Sequence, residues 1–280
     1  MRSITESVTL LVLAAGLLHA LWNAMAKSFH DQWESFTLIA LGSAIPSVVA
    51  LPFVGVAPRA CWGYLAAAVF CHLTYELFLM SAYRHGTLSR SYPIARGVAP
   101  LLTALGGLVF ANERIGVVAI GGILLVVGGV LALALLNRAA TSARAVRWAL
   151  ATGVAIAVYT VIDGLGVRTS HQALRYTVTL MAIQSVIFIM MAFVRRPHRD
   201  FIPRRLLVRG VSAGAISLVA YGLVLWAQTR APLGVVSALR ETGVLWAAVI
   251  GVLFFKERGG WRVIAAGAVI LSGVATIALV

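Results

Sequence analysis

The chain alternates between apolar stretches of about 20 residues and short polar links. A helix rises about 1.5 Å per residue, so each stretch is long enough to cross the roughly 30 Å of hydrocarbon in a bilayer. Barrel strands would instead show alternating segments of about 10 residues. The pattern therefore predicts ten membrane-spanning helices: Val8–Ala26, Phe36–Gly55, Trp62–Tyr83, Leu88–Phe110, Ile115–Leu136, Val146–Val167, Leu174–Val194, Gly210–Gln228, Leu233–Phe255 and Val263–Val280.

The second half of the chain repeats the pattern of the first half. Three pairs of residues lie 144 positions apart: Arg96 and Arg240, Glu113 and Glu257, Gly129 and Gly273. We predict a first five-helix repeat at 1–138, a linker at 139–144 and a second repeat at 145–280. Because five is odd, the two repeats must cross the membrane in opposite senses. The predicted fold class is an all-α integral membrane protein with ten transmembrane helices in two inverted repeats.

Composition agrees with a membrane protein, since 61% of the residues are hydrophobic and 11% are charged. The net charge of +14 comes mostly from arginines in the polar links, which is typical of topology signals and argues against nucleic-acid binding. We expect a multi-pass protein of the bacterial inner membrane, with the lipid bilayer as its surroundings. Most basic links lie on the side opposite the termini, so the positive-inside rule places both termini outside the cytoplasm.

Two arginines lie inside predicted spans, where a charged side chain is costly and usually serves a function. Pro93 and Pro100 flank Arg96, and each removes a helical N–H donor. We therefore expect a helix break at Arg96. Arg96 and Arg240 could converge on one anionic substrate group, since guanidinium binds carboxylate and phosphonate in a bidentate manner. The alternative is that each arginine pairs with an internal carboxylate.

Three intramembrane carboxylates are the possible partners of these arginines: Glu76, Asp163 and Glu241. Each could form a permanent ion pair or carry a coupling proton. Glu76 is the first candidate for the proton and Asp163 the second. Glu241 directly follows Arg240, so its side chain should point to another part of the bundle.

Several polar and aromatic side chains could line a substrate cavity between the repeats. We expect His19, Trp22 and Asn23 on the first span to face Tyr159 and Asp163 on the sixth. The remaining cavity candidates are Tyr92 and Tyr221. For all of them the alternative role is interhelical hydrogen bonding or interfacial anchoring.

Glu113 and Glu257 end the fourth and ninth spans, where helix capping or an inter-helix salt bridge is the expected role. Glycine pairs such as Gly121-Gly122 and Gly128-Gly129 permit close helix packing, and a homodimer surface is the alternative. The sequence contains none of the common motifs of catalytic, metal or cofactor sites. We therefore expect no enzyme activity, no cofactor and no metal.

The five-plus-five repeat, Glu-Arg at the ends of two corresponding spans, and the Trp22-Asn23 and Lys27 pattern resemble the drug/metabolite transporter superfamily, in particular its EamA-type permeases. The resemblance implies a secondary carrier for small metabolites, often an exporter, that works by alternating access. It also implies cytoplasmic termini, against the charge bias. The stretches 18–23 and 92–97 resemble a branch associated with phosphonate catabolism.

These observations predict a secondary transporter for a small polar metabolite with an anionic group, such as an amino acid, organic acid or phosphonate. Protons are the candidate coupling ion. One alternative is a multidrug or cation exporter in which Glu76 or Asp163 reads the charge of the substrate. A membrane scaffold without transport activity is the other alternative.

Overall fold

The computed structural model describes residues 2–27, 29, 31–85, 88–136, 142–195, 202–246 and 261–279. Within these ranges the chain is helical apart from short links. The helices are α1 (Arg2–Lys27), α2 (Gln32–Val54), α3 (Trp62–His85), α4 (Leu88–Phe110), α5 (Val117–Leu136), α6 (Ala143–Ser170), α7 (Ala173–Arg195), α8 (Arg204–Gln228), α9 (Leu233–Arg240) and α10 (Trp261–Ala278).

The predicted membrane class is confirmed, because the first eight helices are each long and apolar enough to cross a bilayer. Helices suit this environment because every backbone group must find its hydrogen-bond partner inside the protein. The fourth predicted span coincides with α4, and the other described helices differ from their predicted spans by a few residues at their ends. The predicted ninth span is described only as far as 246, so its second half and Glu257 lie outside the described residues, as do positions 137–141 of the link between the halves.

The helix break lies in the second repeat, so the prediction of a break at Arg96 is wrong. Helix α4 runs unbroken through both Pro93 and Pro100. Helix α9 instead ends after eight residues at Arg240, and Glu241 and Thr242 form a turn before helical structure resumes at 243–246. The N–H groups of both turn residues bond to carbonyls three positions back, at 3.0 and 3.2 Å, which is the tighter 3₁₀ pattern.

The helices of one repeat pack mainly against helices of the other. Helix α1 packs on α8, and α3 packs on α6. These two contacts are equivalent, because α1 corresponds to α6 and α3 corresponds to α8 in the other repeat. Helix α2 packs on α7, α5 on α10 and α4 on α9, and exchange leaves each of these pairs unchanged. Such a pattern is the packing expected of two repeats related by a two-fold axis.

Glycines bring α1 to the break in α9 and α5 to α10. A Cβ built on Gly243 would lie 2.8 Å from the Gly16 carbonyl oxygen, and one on Gly273 would lie 2.7 Å from the Gly122 carbonyl oxygen. Both positions therefore exclude a side chain. Gly121 and Gly128 face open space, and the homodimer surface stays a prediction.

The beginning of α9 is held by a carboxylate from the first repeat. Both oxygens of Glu113 accept the Leu233 N–H, at 3.0 and 2.9 Å, and a negative group at a helix N-terminus is favourable. Arg168 at the end of α6 donates to Glu113 Oε1 at 2.6 Å and to the Ala231 carbonyl at 2.9 Å. The predicted capping and inter-helix salt bridge are therefore confirmed for Glu113.

Candidate functional site

The first intramembrane arginine is neutralised inside the protein. Arg96 Nε donates to Glu241 Oε2 at 2.7 Å, and the two residues are 2% and 0% exposed. This ion pair joins α4 of the first repeat to the turn after α9 of the second repeat. Glu241 points away from Arg240, as its position in the sequence predicts, because the turn carries its side chain towards α4. For Arg96 the structure contains the internal pairing that the sequence left open as an alternative.

The predicted polar residues of α1 surround the same arginine. Arg96 Nη1 lies 3.2 Å from His19 Nε2, and Trp22 Nε1 lies 3.1 Å from His19 Nδ1. Asn23 donates to the backbone carbonyl of His19 at 2.8 Å. A neutral imidazole has one acceptor nitrogen, so only one of these two donors can bond to His19 at a time. Hydrogen-bond donors therefore outnumber acceptors around Arg96.

The second intramembrane arginine, Arg240, has no carboxylate partner among the described residues. Arg240 is 2% exposed, and it forms no hydrogen bond or ion pair with the described residues. Its charge acts on Glu241, on His19 and on the hydroxyl groups of Tyr159 and Tyr221. Arg240 thus lies near both the group around Arg96 and the tyrosines of α6 and α8.

A second buried polar group is centred on Asp163 of α6, which is 0% exposed. Tyr176 of α7 donates to Asp163 Oδ1 at 2.9 Å, and His72 Nε2 of α3 lies 2.8 Å from Oδ2. The Tyr221 hydroxyl of α8 also donates to Oδ2. Four helices from the two repeats therefore meet at one carboxylate, whose hydrogen-bonding capacity is largely filled.

Aromatic rings pack against His72 of this second polar group. The Tyr159 ring stacks on His72 with centroids 4.0 Å apart, and its centroid lies 6.4 Å from that of Tyr221. Tyr159 and Asp163 are predicted to face the polar residues of α1. In the structure both contact His72 of α3. Tyr92 lies in α4, and its side chain lies outside the described residues.

Glu76 has a different environment from the other two carboxylates. Its Oε1 accepts a hydrogen bond from the Gln184 amide of α7 at 3.1 Å, and its buried Oε2 has no hydrogen-bond partner among the described residues. No cation of the described chain lies within 4 Å of this carboxyl group. Glu76, the first candidate for the coupling proton, therefore has an uncharged hydrogen-bond partner and no neighbouring cation among the described residues.

Two of the residues that complete these groups were not predicted from the sequence. Tyr176 and Gln184 lie on α7, and each completes the hydrogen bonding of a predicted carboxylate, Asp163 or Glu76. Apolar periodicity does not distinguish the inward positions of a helix that is apolar on most sides. No group of three or more metal-binding side chains occurs within the described ranges.

Comparison with known proteins places the chain in a family. The model of the EamA-like transporter family matches residues 7–135 and 143–279, which is one copy of the family repeat in each half. The chain belongs to the EamA-like transporter family. It is therefore a multi-pass membrane protein of a transporter family, as its repeat and its Glu-Arg signature indicated.

The fold of this chain is also present among solved structures. One crystal structure of a protein has a TM-score of 0.77 at 17% sequence identity, and the match covers 98% of this chain and 98% of that chain. This likeness concerns the fold alone. None of the curated proteins matches the chain. The phosphonate-associated branch and the proposed domain limits stay predictions.

Proposed function

We propose that this EamA-type protein is a secondary transporter for a small polar metabolite with an anionic group, and that Arg240 binds this group. Amino acids, organic acids and phosphonates are the candidate classes. The observation that carries the proposal is the buried guanidinium of Arg240, which has no carboxylate partner among the described residues. A buried charge without a partner is very costly, so an anionic ligand would offset that cost.

The neighbouring carboxylates support this assignment, because each has another partner. Glu241 bonds to Arg96, and Asp163 accepts from two tyrosines and contacts His72. Two guanidinium groups and one carboxylate thus make up the centre of the site between α4 and α9. The balance favours one bound negative charge over a cation.

The helix break adds backbone groups to the same position. The turn at Glu241 and Thr242 interrupts the regular hydrogen bonds of α9 directly after Arg240. In secondary transporters, interrupted helices near the bilayer midplane form substrate sites at the interface of inverted repeats. A ligand at this break could reach the guanidinium and the backbone together.

The decisive experiment is uptake by the purified protein in liposomes, with a panel that compares anionic and cationic metabolites. We expect transport of an anionic class, and a loss of about ten- to 150-fold in affinity for Arg240→Gln, which corresponds to one charge-assisted hydrogen bond. Arg240→Lys should retain part of the affinity because it keeps the charge. Arg59→Gln removes an exposed arginine just before the start of α3 and is the matched control.

Cation transport that is unaffected by Arg240→Gln would contradict the anion site and favour the multidrug exporter. Absence of transport for every compound of the panel, in protein that is folded and inserted, would favour the scaffold.

We further propose that Glu76 carries a coupling proton. Its carboxyl group lies at a partly buried position of α3, and its hydrogen-bond partner is an amide rather than a cation. Such intramembrane carboxyl groups commonly serve proton relays in transporters. The contact with Gln184 joins α3 of the first repeat to α7 of the second, so movement between the repeats could alter access to this carboxyl group.

Glu76→Gln tests the coupling. We expect this variant to exchange substrate across the membrane but to lose accumulation driven by a pH gradient. Glu34→Gln, at the start of α2, removes a carboxyl group that forms no hydrogen bond with Gln184, and it serves as the control. Full pH-driven accumulation by Glu76→Gln would exclude Glu76 as the proton carrier.

A further inference from the structure

A basic pocket of about 940 Å³ lies on the face of the protein where α2 ends and α7 begins. Its walls come from the end of α2, the short link between α6 and α7, and the end of α8 with the link that follows. Four basic residues line it: Arg168, His171, Arg175 and Arg230. No carboxylate is among the residues that line the pocket, so its net charge is positive even though Arg168 pairs with Glu113 behind it.

The arginines of this pocket differ in how far they are already engaged. Arg168 is bonded to Glu113, whereas Arg175 forms no hydrogen bond or ion pair with the described residues. Arg230 lies over the ring of Trp226, 3.9 Å from its centroid, and donates to Thr229 at 2.8 Å. Neither contact neutralises the charge of Arg230. Two exposed guanidinium groups therefore remain available to an anion.

The backbone shapes the pocket around these cations. Gly55 follows α2 with φ of 86°, and a Cβ at this position would lie 3.3 Å from the guanidinium carbon of Arg175. His171 ends α6 in the left-handed region with φ of 52°, so α7 can begin two residues later. The first N–H groups of α7 have no intrahelical acceptors, and Ala173 and Leu174 of this first turn are among the residues that line the cavity.

The apolar part of the lining shows what kind of anion fits. Phe53 is 86% exposed and Leu174 is 64% exposed, and both belong to spans long enough to cross the membrane. A small soluble anion would gain nothing from these side chains. A phospholipid would place its phosphate among the arginines and an acyl chain along Phe53 and Leu174. Basic pockets between transmembrane helices bind lipid headgroups in this way.

We propose that this pocket is a binding site for an anionic phospholipid, with Arg175 and Arg230 as the phosphate ligands. The site is separate from the centre around Arg240. It shares Arg168 with the contact that holds the start of α9. A bound lipid would therefore lie against the link between α8 and α9 and stabilise the folded protein.

The test uses the purified full-length protein in nanodiscs and detergent. Retained phosphatidylglycerol is counted by native mass spectrometry, with phosphatidylcholine and inorganic phosphate as comparison probes. We expect preferential retention of phosphatidylglycerol, a rise in Tm with this lipid, and binding weakened about thirtyfold by Arg175→Ala/Arg230→Ala. Because both side chains are exposed, this variant should fold normally.

The matched control is Arg59→Ala/Arg114→Ala, which removes two exposed arginines from the same face outside the pocket. It should retain the lipid as the unaltered protein does. Equal losses in both double variants would overturn the proposal, since general surface charge would then account for binding. Equal binding of inorganic phosphate, or no preference over phosphatidylcholine, would overturn it as well.

Discussion

Arg96 and Arg240 occupy equivalent positions in the two repeats, yet only one of them is neutralised within the described chain. The residue after the arginine is Gly97 in the first repeat and Glu241 in the second. Glu241 does not neutralise its neighbour Arg240 but reaches across to Arg96 at 2.7 Å. A single substitution between the repeats thus converts a symmetric pair of cations into one ion pair and one unpaired cation.

The helices that carry these arginines also differ in their continuity. Pro93 and Pro100 of α4 correspond to Ser237 and Val244 in the second repeat, yet α4 is continuous and α9 is interrupted. Prolines are tolerated in membrane helices when neighbouring groups satisfy the freed carbonyls. The side-chain bond of Glu241 and the close approach at Gly243, rather than proline, accompany the break.

Removal of the ion pair should have the largest effect on stability. Arg96→Gln leaves Glu241 buried without its cation, and loss of one partner of a buried pair costs about 3–5 kcal/mol of unfolding free energy. The double variant Arg96→Gln/Glu241→Gln should recover much of that loss, because no uncompensated charge remains. Equilibrium unfolding in detergent measures both variants. Arg240→Gln should not destabilise the protein, and equal losses for the two arginine variants would abolish the distinction between them.

A carboxylate placed next to Arg240 should neutralise it, as Glu241 neutralises Arg96. Ser237 is buried, three residues before Arg240 on α9, and its hydroxyl has no hydrogen-bond partner within the described ranges. Residues three apart on a helix are neighbours, so Ser237→Asp gives Arg240 an internal partner. We expect a loss of at least about tenfold in affinity for an anionic substrate, with Tm retained. Ser237→Asn is the matched uncharged control, and the same loss in both would point to a steric effect.

A side chain at the helix break should have an intermediate effect. Gly243→Ala puts a Cβ 2.8 Å from the Gly16 carbonyl oxygen, and overpacking of this kind costs about 1–3 kcal/mol. Gly121→Ala, where a Cβ meets open space, is the control and should be nearly neutral. Thermal unfolding compares the two. A stable Gly243→Ala variant would mean that α1 does not constrain the break.

The smallest effect is expected at the Tyr221 hydroxyl, which bonds to Asp163. Tyr221→Phe removes one of the donors to Asp163, while Tyr176 and His72 remain, so we expect a loss of about 1 kcal/mol in unfolding free energy. Tyr64→Phe, at a hydroxyl without a hydrogen bond to the described residues, should leave stability unchanged. A large loss for Tyr221→Phe would show that the Asp163 group depends on Tyr221 more than on its other donors.

The spans and the repeat could be predicted from the sequence because membrane length and apolar content leave few alternatives. Helix α4 was predicted with its observed ends, and the role of Glu113 followed from its place at a span end. The pairing of Arg96 could not be chosen among three carboxylates, because it depends on distances between helices. The position of the break was mispredicted, since proline is a local signal and the packing that accompanies the break comes from α1 and α4. Tyr176 gave no signal, since one tyrosine in an apolar helix looks like any other.

Helix α9 has eight residues and is therefore about 12 Å long. Its first N–H is fixed to Glu113 of the first repeat, and its last residue is Arg240. So short a helix behaves as a rigid rod, because it is too short to bend. A movement of Glu113 that tilts α9 would also move the Arg240 guanidinium at the other end of this helix. Helix α9 would therefore transmit a movement of Glu113 directly to Arg240, the residue proposed to bind the substrate.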